Sequence, residues 1–343
     1  MKAAVYHGVD DLRVEDVPTP EIGATEVLVD LRAASICGTD MNYLHGKTEP
    51  ANHPLTLGHE GAGVVDAVGS EVESVAPGDR VVIHYVRSCG TCRPCSRGHD
   101  NRCRNRESIG HHVDGTFAEF IAVPETSVMA LPESVGFPEA SITGCAVATG
   151  YHAVQTGGHR PGDTVVVFGA GGVGLHAVLW ADALGAGTIV AVDPEERQLE
   201  AAAEYGADVL VNPSEEDPVA RVCELTDGWG ADVSLECSGA PIAMDQAIEA
   251  INCDTKYESG TAVSVGIQTE PITLEYNDAR EGAVRTSGDH TRGELEEILR
   301  LLEIGAVDVS PTITHEVDLE DIRQGVDLVD DRDERVGRVI VHT

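Results

Sequence analysis

Four cysteines crowd into one short segment of the 343-residue chain. The segment SCGTCRPCSRGHDNRC has the spacing Cys-x2-Cys-x2-Cys-x7-Cys and contains Cys89, Cys92, Cys95 and Cys103. Thiolates are soft ligands that suit Zn²⁺, and four of them close its tetrahedral coordination shell. The spacing therefore predicts a structural zinc site. An iron–sulfur cluster and a set of unligated thiols are the two alternatives.

A second set of metal-binding side chains is spread along the first half of the chain. Cys37 lies in ICGTD, His59 and Glu60 lie in LGHEGAG, and Cys145 lies in TGCAVATGY. Two thiolates and one imidazole leave a tetrahedral position open, so that the metal can act as a Lewis acid. His59 alone is more typical of an ordinary core or surface histidine. Its pairing with Glu60, and with two glycine-flanked cysteines, favours a catalytic metal site.

A glycine-rich motif follows one predicted strand and opens a predicted helix. It reads GAGGVG and contains Gly169, Ala170, Gly171, Gly172, Val173 and Gly174. Glycines allow a tight turn and let backbone amides approach a pyrophosphate at the N-terminus of a helix. Methyltransferases use similar loops, and many such turns only join a strand to a helix. The strand and helix on either side favour a dinucleotide site.

An acidic residue ends the next predicted strand, nineteen residues beyond the last glycine of the motif. A carboxylate at this position, Asp193, accepts hydrogen bonds from both ribose hydroxyls and repels a 2′-phosphate. We therefore expect NAD(H) to be preferred. Arg197, four residues further on, softens that repulsion, so NADP(H) is retained as a second cofactor. A solvated acid at the end of a strand is the alternative interpretation of Asp193.

The elements that position these residues change in character near residue 148. Before it, short Val- and Ile-rich segments alternate with turns, which predicts a compact β-rich barrel or sandwich. The predicted strands of this first domain are Val27–Ala33, Gly61–Val72, Arg80–Val86 and Phe117–Val123.

From residue 149 onwards, strand patterns alternate with helix patterns. The strands are TVVVFG, TIVAVD, DVLVN, DVSLEC, TAVSVG and Ala283–Thr286, and the helices are Gly172–Leu184, Pro194–Tyr205, Pro218–Leu225 and Ile242–Ala250. Six strands with crossover helices predict an α/β fold with a doubly wound parallel sheet. The tail has an amphipathic helix near Glu294, with Leu295, Ile298, Leu299 and Leu302 on one face, and ends in the strand-like RVIVHT. We expect this tail to pack on the first domain.

The charge balance of the chain excludes several classes of partner. There are 59 acidic and 23 basic residues, a formal net charge of −36, and only three of the basic residues are lysines. Nucleic acid is a poor partner for such a chain, because duplex binding depends on Lys and Arg displacing counterions. No apolar run approaches the roughly 20 residues of a membrane span, so no membrane is expected. The many negative charges repel one another, and a folded protein with such repulsion is best suited to a very salty cytoplasm, as in a halophilic archaeon.

The nine cysteines and the start of the chain bear on the cellular compartment. The acidic opening MKAAVYHGVDDLRVED has no pattern of an export signal, which predicts a cytoplasmic protein. An odd cysteine count without an export signal argues against a disulfide framework. Outside the two metal motifs, Cys223, Cys237 and Cys253 are predicted to be small buried side chains.

Six segments together resemble a known family along nearly the whole chain. ICGTD, GHEGAGVV, the four-cysteine loop, DGTFAEF, GCAVATGYHA and GAGGVG, in that order, resemble the zinc-containing medium-chain alcohol dehydrogenases. The resemblance implies a GroES-like β-rich catalytic domain at 1–148, completed by 289–343, and a Rossmann dinucleotide-binding domain at 149–288. It also implies two zinc ions per chain, one catalytic and one structural, and a homo-oligomer, either a dimer or a tetramer.

The resemblance also assigns roles to individual residues. Cys37, His59 and Cys145 would bind the catalytic zinc, with Glu60 as a nearby or exchanging fourth ligand. Asp40 would orient this ligand shell, and Thr39 would pass the alcohol proton onward. Many members have a histidine three residues after the relay residue, where this chain has Asn42, so His45 is considered as a substitute. Three further positions would line the bound molecules: Thr149 and Val173 beside the nicotinamide, and Tyr85 in the substrate pocket.

The implied reaction is a reversible hydride transfer between an alcohol and NAD(P), which gives an aldehyde or a ketone. A polyol, sugar or threonine dehydrogenase of the same superfamily is the first alternative, because it uses the same metal and cofactor chemistry. A non-enzymatic Rossmann redox sensor or zinc-ribbon binding protein is the alternative of another class. The predicted open metal site at Cys37, His59 and Cys145 argues against it.

Overall fold

A computed structural model describes residues 1–253, 260–268, 270–274, 281–331 and 336–343 of the chain. The chain divides into two compact units. The first unit contains Met1–Ala148 together with His290–Thr343, and the second contains Thr149–Asp289. The tail therefore belongs to the same unit as the N-terminal part of the chain.

The first unit is built mainly of short strands. Its strands are β1 Lys2–Gly8, β2 Asp11–Asp16, β3 Glu26–Ile36, β4 Leu55–Thr56, β5 Glu60–Val68, β6 Arg80–Ile83, β7 Val86–Arg87, β8 Glu107–Ser108, β9 Phe120–Pro124 and β10 Val128–Ala130. Its first helices are α1 Gly38–Leu44 and α2 Phe137–Ile142, and α2 continues through a π-helical turn, Thr143–Val147, into α3 Ala148–Gly157. Short 3-10 turns lie at Cys95–Arg97, Asp100–Arg102 and Glu125–Ser127.

Strand β3 is the centre of this unit. It pairs antiparallel with β5, β9 and the C-terminal strand Arg338–His342. The main sheet has the order β10-β6-β5-β3, followed by the strand Arg338–His342 and then by the strand Ile313–Asp318. Its alternating side chains, such as Val27, Val29 and Leu31, are fully buried. Because the sheet pairs strands that are far apart in sequence, it brings distant chemical groups to one place.

Six parallel strands form the sheet of the second unit. They are β11 Thr164–Phe168, β12 Thr188–Val192, β13 Val209–Val211, β14 Val233–Glu236, β15 Thr261–Ser264 and β16 Ala283–Thr286, in the order β13-β12-β11-β14-β15-β16. The crossover helices are α4 Gly172–Ala183, α5 Glu196–Glu204, α6 Pro218–Leu225 and α7 Pro241–Ala250. This order reverses direction between β11 and β14, which is the arrangement of a doubly wound fold. The predicted α/β class is therefore confirmed.

The tail returns to the first unit as two helices and two strands. They are α8 Arg292–Glu303, β17 Ile313–Asp318, α9 Ile322–Asp330 and β18 Arg338–His342, with 3-10 turns at Ser310–Thr312 and Leu319–Asp321. Helix α8 begins with a capping box, in which the Thr291 and Glu294 side chains each bind the other residue's backbone amide. Leu295, Ile298 and Leu299 of α8 are buried, as its periodicity predicts.

Two predicted elements are shorter than their sequence patterns suggest. The strand predicted to reach Val72 ends at Val68, because a turn follows at residues 70–71. A side chain at Gly69 would lie 2.2 Å from the Gly23 carbonyl oxygen, which leaves room only for glycine. The helix predicted from Pro194 begins at Glu196, because the Asp193 carboxylate accepts the Glu195 backbone N–H at 2.9 Å and holds a turn there.

The prediction that the three scattered cysteines are free buried side chains was wrong for two of them. Cys223 and Cys253 are only partly buried and form a disulfide, with their Cα atoms 5.5 Å apart. Cys223 lies in the last turn of α6 and Cys253 just follows α7, two helices that pack together. Their 30-residue separation gave no local signal of this pairing. The other seven cysteines are free, including a partly buried Cys237.

No helix among the described residues combines the length and the apolar character that crossing a bilayer requires.

Candidate active site

Four potential metal ligands converge inside the first unit. Cys37 follows β3 and caps α1, His59 and Glu60 lie at the start of β5, and Cys145 lies in the π-helical turn. All four are buried, and one ligand atom from each lies within 4.8 Å of the others. π-Helical turns are rare and occur frequently at functional sites, which agrees with the position of Cys145. The structure thus brings together every residue of the predicted second metal set.

Asp40 organises this cluster from the first turn of α1. Its Oδ2 accepts the Cys37 backbone N–H at 2.9 Å, and its Oδ1 accepts the Gly58 backbone N–H at 3.3 Å. The same Oδ1 lies 3.6 Å from His59 Nδ1. A carboxylate beside one ring nitrogen is the usual partner of a metal-binding imidazole, because it fixes the ring orientation. Asp40 therefore lies where the resemblance places a residue that orients the ligand shell.

Glu60 has a buried cationic partner that sequence reasoning missed. Arg338 Nη2, from β18, donates hydrogen bonds to Glu60 Oε2 and, at 3.0 Å, to Ser35 Oγ. The register of β3 explains this meeting, because Ser35 pairs with Glu60 on one side and with Ile340 on the other. Glu60 and Arg338 are 278 residues apart, so no local pattern could have indicated the pair.

The environment of the cluster changes the acidity of its groups. Hydrogen bonding by Cys145, together with the nearby His59, lowers the pKa of the Cys37 thiol well below its usual range. Burial raises the pKa of Glu60 to about 7, although Arg338 opposes this shift. Burial alone would lower the pKa of His59, but the Asp40 carboxylate and Cys37 raise it well above its usual value. The cluster thus contains a thiol that readily becomes a thiolate, the form that binds metals.

The donor set fits a metal ion. Glu60 Oε1 is buried and has no hydrogen-bond partner within the described part of the chain. Buried carboxylate oxygens are normally paired, so an unpaired one beside two thiols and an imidazole fits a ligand position for a cation. Two sulfurs, one nitrogen and one oxygen are ligand types that zinc accepts.

The four-cysteine loop also closes on itself. The sulfur atoms of Cys89, Cys92, Cys95 and Cys103 all lie within 4.8 Å of one another, and Cys92 Sγ and Cys95 Sγ are 3.4 Å apart. Backbone amides donate to these sulfurs, with Cys89 N at 3.3 Å and Asn105 N at 3.4 Å from Cys103 Sγ. Such donors, chiefly the amides of Thr91 and Cys92, lower the pKa of the Cys89 thiol to about 6. Four converging thiols without a disulfide fit a closed zinc site.

A buried polar cluster lies beside the four potential metal ligands and was not predicted from the sequence, apart from Tyr85. The Tyr85 ring packs edge-on against the His59 ring, with centroids 5.4 Å apart, and against the His290 ring at 5.5 Å. His84 bonds His290 at 3.0 Å and Asp100 of the four-cysteine loop at 2.9 Å. Histidines are common both in protein cores and in functional sites, so only the tertiary packing reveals this cluster.

The proposed proton-relay positions lie on and after α1. Thr39 is half-buried in the first turn, two residues after Cys37, and Asn42 is half-buried in the same helix. His45 is exposed just after this helix, where its Nε2 bonds Asp330 Oδ2 at 2.9 Å. The His45 ring is therefore engaged with an acidic residue of α9.

The glycine motif has the geometry of a tight turn with an open side. A side chain at Gly174 would meet the Gly169 carbonyl oxygen at 1.8 Å, so this glycine allows α4 to pack closely against the turn. A Cβ at Gly171 would meet no atom within 4 Å. Gly171 and Gly172 are exposed, Val173 is half-buried in the first turn of α4, and Thr149 is half-buried in α3. The turn is therefore shaped to receive a phosphate group at the start of α4.

Asp193 lies at the carboxyl end of β12, next to this turn. Its Oδ2 accepts the Ala170 backbone N–H at 2.8 Å, so the carboxylate is tied to the glycine motif itself. Burial raises the pKa of Asp193, while the hydrogen bonds from Glu195 and Ala170 act in the opposite direction. Arg197 is partly buried, and its positive charge acts to lower the pKa of the Asp193 carboxyl group. This is the strand-end position from which an acid reaches a ribose in doubly wound folds.

Comparison with known proteins extends these observations. Residues 23–133 match the family described as alcohol dehydrogenase GroES-like domain, and residues 172–303 match the family described as zinc-binding dehydrogenase. The chain belongs to the zinc-binding dehydrogenase family. This confirms the GroES-like and Rossmann-like architecture and makes the protein an oxidoreductase.

Three relatives illustrate the range of this dehydrogenase family. The chain is 32% identical to sorbitol dehydrogenase of Bacillus subtilis, covering 95% of this chain and 93% of that protein. It is 35% identical to an alcohol dehydrogenase of Geobacillus stearothermophilus, covering 95% of both chains. A zinc-binding dehydrogenase structure from Sinorhizobium meliloti bound to NADP matches with a TM-score of 0.89 and 31% identity, over 100% of this chain and 99% of that one.

Proposed function

We propose that this dehydrogenase is a zinc-dependent, NAD(P)-linked alcohol dehydrogenase that interconverts an alcohol and an aldehyde or ketone. The observation that carries the proposal is the buried cluster of Cys37, His59, Glu60 and Cys145, with the unpaired Glu60 Oε1 among its ligand atoms. Cys89, Cys92, Cys95 and Cys103 would hold a second, structural zinc ion. The similarity to an alcohol dehydrogenase over 95% of both chains supports the choice of substrate class.

Several residues of the chain have separate roles in the proposed reaction. Alcohol oxidation removes a hydride from the carbinol carbon and a proton from the hydroxyl group, and a bound nicotinamide would supply the hydride acceptor. Bound zinc would supply Lewis acidity that lowers the pKa of that hydroxyl. Asp40 keeps Cys37 and His59 in place, and Arg338 holds Glu60 through one carboxylate oxygen. Thr39, in the first turn of the helix that begins directly after Cys37, would accept the alcohol proton on its hydroxyl oxygen while its own hydroxyl proton passes to solvent.

A second candidate is a polyol, sugar or threonine dehydrogenase of the same family. The similarity to sorbitol dehydrogenase over 95% of this chain favours it. Both candidates require the same metal and cofactor sites and differ only in substrate.

One substrate panel tests the proposal and separates the two candidates. Simple alcohols, polyols, sugars and threonine are each assayed with NAD and with NADP in molar KCl, with nicotinamide reduction followed by absorbance. We expect reduction with simple alcohols. Turnover confined to polyols, sugars or threonine would select the second candidate. Absence of turnover with every compound and both cofactors would contradict both candidates.

We also propose that the protein is a cytoplasmic homo-oligomer, a dimer or a tetramer. Seven of the nine cysteines are free, which favours the cytoplasm, whereas the Cys223–Cys253 disulfide is unusual for that compartment.

NAD(H) is expected to be preferred over NADP(H), with kcat/KM higher by about tenfold or more, because the Asp193 carboxylate meets the 2′-phosphate as a like charge. Substitution Asp193→Asn removes this charge and is expected to raise kcat/KM for NADP. Steady-state kinetics with both cofactors measures the ratio. The matched control is Asp245→Asn, an exposed acid of α7, which should leave the ratio unchanged. A wild-type preference for NADP, together with no effect of Asp193→Asn, would contradict the role of this residue.

A further inference from the structure

Glu236 is a buried carboxylate that the proposed reaction does not use. It is the last residue of β14 and is fully buried. Its Oε1 accepts hydrogen bonds from Ser238 N at 2.7 Å, Ser238 Oγ at 2.5 Å and Gly239 N at 2.7 Å. Its Oε2 accepts one from Gln268 Nε2 at 2.5 Å. All four partners are donors, which is the arrangement that an ionised, acceptor-only carboxylate satisfies.

These contacts join two loops at the carboxyl edge of the parallel sheet. The β14 loop is defined as residues 237–240 and the β15 loop as residues 265–268. The loops touch backbone to backbone, because a side chain at Gly266 would lie 2.2 Å from Gly239 N. Gly239 itself has a φ of +75°, and a side chain there would lie 2.7 Å from the Ile267 carbonyl oxygen. Glu236 is thus the side chain that binds both loops at once.

The β14 loop in turn supports the glycine motif. Gly169 has a φ of +88°, and a Cβ at this position would lie 2.8 Å from Ser238 Cβ and 2.9 Å from Ser238 N. The turn therefore packs directly on Ser238, the residue that Glu236 holds through both its amide and its hydroxyl. In doubly wound sheets, ligands bind outside the carboxyl ends of the strands where the strand order reverses. Here that point lies between β11 and β14.

We propose that Glu236 is a positioning residue for the dinucleotide: through Ser238 and Gln268 it holds the β14 loop, the β15 loop and the glycine turn in the arrangement that binds the cofactor. The inference rests on the proposed dinucleotide binding and adds to it a residue that acts through Ser238 and Gln268. Glu236 affects cofactor binding by holding these loops in place.

Exchanging the two partners provides a direct test. In Glu236→Gln, the new amide oxygen can still accept the three bonds from the β14 loop, and rotation of the Gln268 amide turns its oxygen toward the new NH₂ group, so this variant keeps the bond between the loops. In Gln268→Glu, two carboxylates face each other. This change removes the side-chain bond between the loops and brings two negative charges together, which is costly. The double variant Glu236→Gln/Gln268→Glu restores that bond with donor and acceptor exchanged.

The measurement is the Kd of NADH, by fluorescence titration, for the full-length zinc-loaded protein in molar KCl. Gln268→Glu is expected to raise Kd by about tenfold, whereas Glu236→Gln and the double variant are expected to stay within about threefold of the wild type. Glu249→Gln, which removes one carboxylate from an exposed position of α7, is the control and should leave Kd unchanged. Thermal melts of the same proteins without NADH report on folding.

The outcomes separate positioning from simple stabilisation. If Gln268→Glu leaves the Kd of the folded protein at the wild-type value, whether or not it melts at a lower temperature, the pair of Glu236 and Gln268 at most stabilises the fold and the proposal is overturned. Failure of the double variant to recover NADH affinity would also overturn it. If the wild-type protein itself binds no NADH, the proposed dinucleotide function fails first, and the positioning role fails with it.

Discussion

Substitution Cys145→Ala is expected to reduce kcat for alcohol oxidation by roughly 10³-fold, because it removes a ligand of the proposed catalytic zinc. A Lewis acid contributes several kcal/mol of transition-state stabilisation, and each 1.4 kcal/mol corresponds to a tenfold change in rate. The loss is expected in kcat rather than in folding, because Cys145 lies in a helical segment between α2 and α3 whose other residues remain. Steady-state kinetics and metal analysis of the purified variant measure the effect.

Metal content separates the two proposed zinc sites in the same experiment. The wild type should contain two zinc ions per chain and Cys145→Ala one, because Cys89, Cys92, Cys95 and Cys103 form a separate cluster. The control double variant Cys223→Ala/Cys253→Ala removes two sulfur atoms that belong to neither cluster, and it should retain two ions and wild-type kcat. Wild-type turnover by Cys145→Ala, or a single zinc ion in the fully active wild type, would contradict the assignment.

Raising the KCl concentration from about 0.05 M to about 3 M is expected to increase the melting temperature by on the order of 10–20 °C. The net charge of −36 must lie largely on the surface, and runs such as Glu215–Asp217 and Glu296–Glu297 are exposed. The Debye length falls from about 30 Å at 0.01 M to about 3 Å at 1 M, so salt removes most of the repulsion between these charges. Relief of several kcal/mol corresponds to such a shift, at roughly 2–4 °C per kcal/mol.

A variant with fewer surface charges tests whether repulsion is the cause. The triple substitution Glu200→Gln, Glu215→Gln and Glu216→Gln removes three exposed carboxylates from the second unit. It should melt higher than the wild type at low salt and approach it at high salt, where screening makes the charges less important. Activity measured over the same KCl range should follow the melting behaviour. A melting temperature that does not change with KCl would show that charge repulsion does not govern stability.

The sequence predicted those parts of the fold that depend on local patterns. The alternation of Val-rich strands with helices from residue 149 predicted the doubly wound sheet, and the six strands lie where the patterns place them. The four-cysteine loop was equally predictable, because thiols separated by two to seven residues can reach one another within a single loop. Glycine at position 174 is understandable from the motif alone, since a helix that follows a tight turn leaves no room for a side chain.

Tertiary structure alone decided which distant groups meet. Residue types and glycine neighbours suggested that Cys37, His59, Glu60 and Cys145 act together, but their convergence depends on how β3, β5 and the π-helical turn pack. Arg338 reaches Glu60 only because β18 and β5 flank β3, and Gln268 reaches Glu236 only because β14 and β15 are neighbours. The Cys223–Cys253 disulfide likewise results from the packing of α6 on α7. A local pattern records spacing along one segment, whereas strand register and helix packing determine the distance between segments, and no single segment contains that information.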